Sequence, residues 1–195
     1  MQVLPKDGEV LFFPNFFSVA QSDAYFAHCR NELPWKHEAI VVFGKSYLQP
    51  RLTAWCGDYK YRYSGITMHP QAWSESILEI KRAVETVSEV KFNGALFNFY
   101  RDERDGMGWH RDAEKELGPE PVIGSVSFGA DRKFLLRHRY EKNLKTEIEL
   151  SHGSLLVMRG STQHFWEHSI PKTAKVKNPR INMTLRRVIP NGEHM

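Results

Sequence analysis

The chain has 195 residues, of which 41% are hydrophobic and 26% are charged, as is usual for a globular protein. This length favours a single domain over residues 1–195, and no apolar run approaches the roughly 18 residues that predict a membrane span. The 27 basic and 23 acidic residues give a net charge of +4, which permits a polyanionic partner without requiring one.

The two cysteines, Cys29 and Cys56, are too few for a disulfide framework or a thiolate metal site. The first residues, Met1–Asp7, lack an apolar stretch flanked by positive charge, so we expect no secretory signal. Together these features predict a reducing, intracellular environment, which is cytoplasmic or, in a eukaryote, nuclear. We expect a monomer that does not associate with a membrane.

The first half of the chain predicts an opening strand, a helix, a hairpin and a second helix. The strand covers residues 11–14, and a capping box at Ser18–Gln21 begins a helix that Pro34 ends. Residues 39–49 are typical of a strand, a turn and a strand. A second helix starts near Pro70, and its apolar residues recur at helical spacing: Trp73, Ile77, Ile80, Val84 and Val87.

From residue 95 the period of the apolar residues changes to that of short strands separated by turns. The strand-like runs are residues 95–100, 122–128, 133–138, 145–150, 154–159 and 180–188. Two helices followed by many short strands predict an α+β fold. We expect a double-stranded β-helix (jelly-roll) core of antiparallel strands, with the two N-terminal helices packed on one face.

His110 and Asp112 are the first candidates for a metal site. In an extended segment, residues two apart point to the same side, so both side chains can face one ion. Two histidines and a carboxylate form the facial triad of non-haem Fe(II) oxygenases. Because His-x-Asp is short, a purely structural pair is the alternative. Four downstream histidines are candidates for the third ligand: His138, His152, His164 and His168.

The segment 180–186 places four polar side chains on one face of a strand: Arg180, Asn182, Thr184 and Arg186. Two guanidinium groups facing inward would be costly to bury without an anionic partner. A dicarboxylate would satisfy them, since the guanidinium fork matches a carboxylate through two hydrogen bonds. The alternative is an exposed strand face at the edge of a sheet.

Together, His110-x-Asp112, His168 and Arg180-x-Asn182-x-Thr184-x-Arg186 resemble the AlkB family of Fe(II)- and 2-oxoglutarate-dependent dioxygenases, most of all members that act on duplex DNA. The resemblance covers roughly residues 10–189. It implies that residues of about 10–100 carry the helices and a nucleotide-recognition lid, and that residues of about 95–189 form the catalytic β core. Further matching stretches are residues 42–45, 50–55, 61–65, 98–100, 125–130 and 152–156.

The resemblance implies direct-reversal DNA repair, in which 1-methyladenine and 3-methylcytosine are demethylated with O2 and 2-oxoglutarate, giving succinate, CO2 and formaldehyde. Fe(II) would be bound by His110, Asp112 and His168, with His164 as the alternative to His168. Arg186 would pair with the distal carboxylate of 2-oxoglutarate. The other cosubstrate contacts would be Asn98 and Tyr100 from one side, Arg180 and Asn182 at the metal-proximal end, and Thr184 in the pocket lining.

The resemblance also implies a base pocket and a set of DNA contacts. An aromatic lid over the base would comprise Trp55, Tyr61 and Tyr63, with Ser64 beside it, although ordinary strand packing would also explain these aromatic residues. Glu114 would lie near the exocyclic nitrogen of the base. Phe43 would be an apolar finger that fills the gap left by a flipped base, or a hairpin residue folded onto the core. The other expected DNA contacts are Lys45, Arg51 and Arg137, the last within a basic run that could equally be a solvated hairpin.

Three alternatives to duplex DNA repair remain open at this point. The same chemistry could act on methylated RNA. The chain could be a nucleic-acid-binding module without catalysis, although the complete triad argues against this. A cupin-like sandwich that binds a small anion would have no affinity for nucleic acid.

Overall fold

The computed structural model describes residues 1–42, 45–63 and 66–189. Its strands are antiparallel and form two larger sheets and two short hairpins. In chain order they are β1 (Glu9–Phe13), β2 (Ala39–Val42), β3 (Lys45–Leu48), β4 (Leu52–Gly57), β5 (Tyr61–Tyr63), β6 (Ile66–Met68), β7 (Gly94–Tyr100), β8 (Met107–His110), β9 (Ile123–Gly129), β10 (Arg132–His138), β11 (Lys145–Leu150), β12 (Ser154–Arg159), β13 (Trp166–Ile170) and β14 (Arg180–Arg186). The helices are α1 (Val19–Glu32), α2 (Glu75–Ser88) and α3 (Thr162–Phe165), and a 3₁₀ turn covers Lys115–Leu117.

The larger sheet has the order β1-β12-β9-β14-β7-β4, and the smaller one has the order β11-β10-β13-β8. One hydrophobic cluster contains residues of both sheets, including Leu96 and Leu156 from the larger and Leu136 and Ile170 from the smaller. Burial of apolar side chains between the two sheets therefore holds them face to face, as in a jelly roll. The inner faces of both sheets also contribute the polar residues described below.

A second hydrophobic cluster lies on the opposite side of the larger sheet, where α1 and α2 pack. Phe97, Met183 and Leu185 contribute their side chains from the sheet, and Ile77, Ile80 and Val84 contribute theirs from α2. The predicted fold, a jelly-roll core with two N-terminal helices on one face, is confirmed. Within the part of the chain that the structure describes, no helix is both long and apolar enough to cross a membrane.

The first helix begins and ends where the sequence predicts. The Ser18 Oγ atom accepts a hydrogen bond from the Gln21 backbone N–H at 3.3 Å, and the Gln21 side chain accepts one from the Ser18 backbone N–H at 3.1 Å. This reciprocal pair satisfies two N–H groups that the helix itself leaves unbonded. The helix ends at Glu32, shortly before Pro34.

The second helix begins at Glu75, and the prediction of a start near Pro70 was wrong. The Gln71 backbone N–H donates to the Trp55 carbonyl oxygen at 3.0 Å, and the Gln71 carbonyl oxygen accepts from the Gly57 N–H at 3.2 Å. These bonds hold the segment extended beside β4, so the helix can start only after it. Trp73 therefore precedes the helix rather than belonging to its apolar face.

The N-terminal part of the chain supplies strands to the same sheet as the C-terminal part. Strand β1 pairs with β12, and β4 pairs with β7, so the larger sheet contains residues from both sides of position 95. The proposed core at residues 95–189 is thus completed by two strands from the N-terminal half.

The contact between α2 and the larger sheet gives a test of this packing. A Cβ atom added at Gly124 in β9 would lie 2.6 Å from the Cγ1 atom of Val84, a stiff β-branched side chain. We expect Gly124→Ala to lower the free energy of unfolding by about 1–3 kcal/mol through overpacking. In a Val84→Ala background, the loss of unfolding free energy caused by Gly124→Ala should be smaller by at least about 1 kcal/mol, as measured by urea denaturation.

Gly108→Ala is the matched control, because a Cβ atom there meets nothing within 4 Å. Its effect should stay within about 0.5 kcal/mol. Strictly additive losses in the Gly124/Val84 double variant would contradict the close contact.

Candidate active site

Strands β8 and β13 bring the predicted metal ligands together. In the pairing of these strands His110 lies opposite His168, and their ring centroids are 4.3 Å apart. Asp112 follows two residues after His110, and its Oδ2 atom lies 3.6 Å from the Nε2 atom of His168. His168 and Asp112 are buried, and His110 is half-buried. Two imidazoles and one carboxylate thus converge at one end of a pocket between the sheets.

The histidines present the lone pairs that a metal requires. The Nδ1 atom of His110 lies 2.9 Å from the Gly108 carbonyl oxygen, so Nδ1 carries the proton in this contact and Nε2 is left as the acceptor. Burial lowers the pKa of His110, and burial together with the neighbouring His110 lowers the pKa of His168 to about 3. Both rings are therefore neutral at neutral pH, the state in which histidine binds a metal.

Asp112 remains ionised although it is buried. Burial by itself would raise the pKa of this carboxyl, but Arg186, aided by His168 and His110, outweighs it and holds the pKa at about 2. The Arg186 Nη2 atom donates a hydrogen bond to Asp112 Oδ1, and both side chains are almost fully buried. The second carboxylate oxygen is the one that faces His168.

The other three candidates for the third ligand lie elsewhere. His164 is exposed on the short helix α3, because residues 162–165 form a helical turn rather than the extended segment that would place it on the His168 face. His138 accepts hydrogen bonds at Nδ1 from the backbone near Glu141, and its Nε2 lies 3.3 Å from Asp7. His152 accepts a bond from the Gly129 N–H. Among the four, the structure brings only His168 to His110 and Asp112.

The polar face of β14 lines the same pocket as the histidines. Strand β14 pairs with β7 on one side and β9 on the other, and all of its residues are buried, so the alternative of an exposed strand at a sheet edge is wrong. The Asn182 amide donates to Ser125 Oγ at 2.8 Å, and the Thr184 hydroxyl donates to Asn182 Oδ1 at 2.9 Å. These bonds fix the middle of the polar face.

Arg180 is a buried cation without a carboxylate partner among the described residues. It donates one hydrogen bond to Ser127 Oγ at 2.9 Å, and its guanidinium lies 5.2 Å from the centre of the Tyr100 ring. Its Nε and Nη1 atoms have no hydrogen-bond partner within the described part of the chain. Burial lowers the pKa of Arg180 to about 10. A buried guanidinium with free N–H groups facing a pocket is suited to an anionic ligand.

The two arginines have the opposite arrangement to the one expected from the resemblance. Arg186 contacts Asp112 and is therefore at the metal-proximal end of the pocket, not at the distal carboxylate. Arg180 lies six residues earlier on β14, roughly 20 Å away along the strand backbone, beside Tyr100. The sequence alone could not assign the two ends, because alternation places both arginines on one face without indicating which end meets the histidines.

Asn98 and Tyr100, on β7, line the pocket as expected. The Asn98 Oδ1 atom accepts a hydrogen bond from Arg51 Nε at 2.8 Å. Arg51 is only 3% exposed, and its expected contact with DNA stays a prediction. It lies just before β4, whose Thr53 pairs with Asn98, and this pairing brings the Arg51 guanidinium to the Asn98 side chain.

The structure places the expected base-pocket residues in different environments. Trp55 is 2% exposed, stacks on Tyr61 at a centroid distance of 4.6 Å, and packs against Gly94. This burial agrees with the alternative of ordinary packing, and the role of Trp55 in a lid over the base stays a prediction. Tyr61 is also buried, with its ring 5.6 Å from the Arg186 guanidinium. For Tyr63 the described backbone belongs to β5, and Ser64 lies outside the described residues.

Glu114 has one carboxylate oxygen without a hydrogen-bond partner in the described part of the chain, although its carboxyl group also interacts with the Tyr61 side chain. Its Oε2 atom is buried and has no hydrogen-bond partner among the described residues. Burial raises its pKa, with Arg186 acting in the opposite direction and Asp112 raising it further. Because Glu114 is two residues beyond Asp112, it lies next to the metal-proximal end of the pocket.

The remaining expected DNA contacts lie at the surface or outside the described residues. Lys45 is exposed at the start of β3. Arg137 is partly exposed, but two of its nitrogen atoms donate to Glu167 at 2.9 and 2.7 Å, and its guanidinium stacks over the Trp109 ring at 4.2 Å. A phosphate would have to share the guanidinium with Glu167. The expected finger residue Phe43 lies outside the described residues.

Three residues that sequence reasoning missed complete the pocket surroundings. Phe134 stacks against His168 at 5.2 Å. Arg132 faces the Tyr100 ring at 5.7 Å and donates to the carbonyl oxygens of Asp105 and Pro171. Gln163, on α3, accepts a hydrogen bond from the Asp112 backbone N–H. Nothing in the local pattern distinguishes these residues from ordinary core positions, because each acts through a contact far away in sequence.

The different partners of the two arginines predict different effects on stability in the absence of ligands. Arg186→Met should lower the free energy of unfolding at pH 7 by about 3–5 kcal/mol, because it leaves the Asp112 carboxylate buried without its cation. Arg180→Met should not destabilise the protein and should stabilise it by about 1 kcal/mol or more, because it removes a buried charge that has no carboxylate partner. Denaturant unfolding of the metal-free protein measures both.

The cost of Arg186→Met should depend on pH. In the wild type the folded-state pKa of Asp112, about 2, lies below its ordinary value of 3.8, so the stability from this group is present above pH 3.8 and is lost as the pH falls through 2. Without Arg186 burial raises this pKa, so the variant's deficit should shrink on acidification. Asp112→Asn should largely remove the deficit even at pH 7. A deficit that is unchanged in the Asp112→Asn background would contradict the ion pair.

Comparison with known proteins agrees with this geometry. A sequence model of the 2OG-Fe(II) oxygenase superfamily matches residues 9–186. Alpha-ketoglutarate-dependent dioxygenase alkB homolog 3 from Bos taurus is 39% identical over 196 residues, covering 95% of this chain and 68% of the relative. DNA oxidative demethylase ALKBH2 from Arabidopsis thaliana is 35% identical over 215 residues, covering 95% of this chain and 68% of the relative.

A solved structure of OsALKBH1 superimposes with a TM-score of 0.65 at 16% identity, covering 91% of this chain and 97% of that one. At this identity the likeness supports the fold alone. The superfamily match covers residues 9–186, a range that contains His110, Asp112, His168 and β14, and each of the two relatives matches over 95% of the chain. The chain therefore belongs to the AlkB family of the 2OG-Fe(II) oxygenase superfamily and is a dioxygenase that uses Fe(II), 2-oxoglutarate and O2.

Proposed function

We propose that this enzyme removes methyl groups oxidatively from N-alkylated bases in nucleic acid, with 1-methyladenine and 3-methylcytosine in DNA as its substrates. The observation that carries the proposal is a single pocket with the triad at one end and the buried, unpaired Arg180 guanidinium at the other. Such an arrangement suits a metal ion at the triad end and the carboxylate of a dicarboxylate at the Arg180 end. The similarity to the DNA oxidative demethylase from Arabidopsis thaliana supports the substrate class.

His110, Asp112 and His168 would hold Fe(II). The fit rests on the donor set: two neutral imidazoles with Nε2 available and an ionised carboxylate, all within reach of one another. Three protein ligands leave positions for the cosubstrate and O2. When bound, the iron supplies the oxygen activation that oxidises both 2-oxoglutarate and the methyl group, which amino-acid side chains cannot perform.

Arg180 would bind the distal carboxylate of 2-oxoglutarate. Its unpartnered N–H groups offer paired hydrogen bonds, and the charge that is costly in the empty pocket becomes favourable once the carboxylate arrives. Tyr100 packs against the guanidinium and limits its movement. Arg186 remains with Asp112 and keeps that carboxylate ionised and oriented at the metal-proximal end.

Glu114 would meet the base. A methylated adenine or cytosine carries a positive charge and an exocyclic nitrogen, and the Glu114 Oε2 atom, which has no hydrogen-bond partner among the described residues, can satisfy either one. The methyl carbon is hydroxylated, and the hydroxymethyl group then leaves as formaldehyde and restores the base N–H or lone pair. One molecule each of O2 and 2-oxoglutarate is consumed for each formaldehyde, succinate and CO2 formed.

The direct test is a demethylation assay with defined products. The protein is incubated with Fe(II), 2-oxoglutarate and an oligonucleotide that carries one methylated base, and the oligonucleotide is analysed by mass. We expect loss of one methyl group and equimolar succinate. His110→Ala, Asp112→Ala and His168→Ala should each abolish turnover because the remaining two ligands cannot hold the metal productively.

His164→Ala is the matched control, since this exposed histidine lies four residues from His168 and was the alternative ligand. It should retain turnover. Loss of activity in His164→Ala with retention in His168→Ala would show that the assignment of the third ligand is wrong. Succinate release without a change in the oligonucleotide would support a dioxygenase with a different substrate.

The preference for duplex DNA can be tested at Phe43. If this residue fills the gap left by a flipped base, Phe43→Ala should lower demethylation of duplex DNA more than that of single-stranded DNA, since only a duplex loses stacking and pairing of roughly a few kcal/mol when the base leaves. Initial rates on one methylated oligonucleotide, alone and annealed, measure this ratio. Equal losses on both substrates would contradict the finger role, and faster turnover of the matching RNA would favour RNA as the substrate.

A further inference from the structure

The Asp112 backbone lies outside the regular strands. Strand β8 ends at His110, and the following residues up to the 3₁₀ turn at Lys115–Leu117 have no strand partner. Asp112 is nevertheless buried, so its backbone N–H needs a hydrogen-bond acceptor. The Gln163 side chain supplies it, with Oε1 at 2.9 Å from the Asp112 nitrogen.

Gln163 is held in place by its own surroundings. Its side chain is 2% exposed, and its Nε2 atom donates to the Met158 sulfur at 3.6 Å, which orients Oε1 toward Asp112. Its backbone carbonyl oxygen accepts a bond from Arg111 Nη1 at 3.1 Å. The residue before it, Thr162, accepts a hydrogen bond from the Glu9 N–H at 2.9 Å and so anchors α3 to β1.

We propose that Gln163 is a positioning residue for the metal site. It fixes the Asp112 backbone relative to α3, which leads directly into β13 and His168, five residues further along the chain. The hydrogen bond thereby sets the spacing between the carboxylate and imidazole ligands, which no strand pairing fixes at this position. The inference rests on the proposed iron site, because Gln163 itself does not reach the triad centre.

Asp112 is then held from two directions. Arg186 binds one carboxylate oxygen, and Gln163 binds the backbone N–H of the same residue. With Gln163 absent, the backbone could shift while the carboxylate stays on Arg186, so that Oδ2 turns away from His168. Groups that orient metal ligands through hydrogen bonds typically contribute 10–100-fold to metal affinity. The same magnitude is expected here.

The test is the affinity of the full-length protein for Co(II), titrated anaerobically without substrate and followed by the visible absorption of the bound ion. Gln163→Met keeps the volume but removes the acceptor, and it should weaken Co(II) binding about 10-fold or more. Gln163→Glu keeps an oxygen at the same reach and should restore affinity to within about threefold of the wild type. His164→Ala, on the same helix, should bind as the wild type does.

Thermal unfolding of the metal-free variants shows whether each one is folded. Weaker Co(II) binding by a folded variant then reports the loss of positioning rather than a general loss of packing. If Gln163→Met does not fold, Gln163→Asn takes its place: it retains the amide but is one methylene too short to reach Asp112, and it should weaken Co(II) binding similarly. Wild-type Co(II) affinity in a folded Met or Asn variant, or failure of Gln163→Glu to restore binding, overturns the inference. Unchanged Co(II) binding in Asp112→Ala would instead overturn the proposed iron site itself.

Discussion

The buried ion pair between Arg186 and Asp112 is the interaction on which the site depends. It joins β14, one of the two middle strands of the larger sheet, to the segment that follows the edge strand of the smaller one. A carboxylate buried between two sheets would ordinarily become protonated, and a protonated carboxyl is a poor metal ligand. The neighbouring guanidinium keeps Asp112 charged, so the pocket can present two neutral imidazoles and one anion to a divalent cation.

The two arginines of β14 have different energetic roles although they share a strand face. Arg186 is compensated within the protein, whereas Arg180 has no carboxylate partner in the described part of the chain until a ligand supplies one. A buried charge of this kind lowers the stability of the empty enzyme and increases the gain on binding a dicarboxylate. Stability and cosubstrate affinity are therefore linked at Arg180.

The larger sheet can hold such a polar pocket because the other face of its central strands is apolar. On β14 the alternating residues Ile181, Met183 and Leu185 pack beneath the two helices, while the polar residues face the smaller sheet. Pairing with β7 and β9 along its length leaves the strand little freedom to shift. The helices thus contribute to the chemistry indirectly, by stabilising the sheet that positions the arginines.

The sequence by itself determined the features that depend on local periodicity: the capped first helix, the apolar face of the second, the common side of His110 and Asp112, and the alternation along β14. Tertiary structure decided which partner each side chain meets. The helical turn at residues 162–165 excludes His164, the pairing of β8 with β13 selects His168, and the ion pair with Asp112 assigns Arg186 to the metal end. Arg51, Trp55 and Gln163 likewise take their environments from strands and helices distant in sequence. Periodicity records only which side of an element a residue occupies, whereas contacts between distant segments follow from strand register and packing.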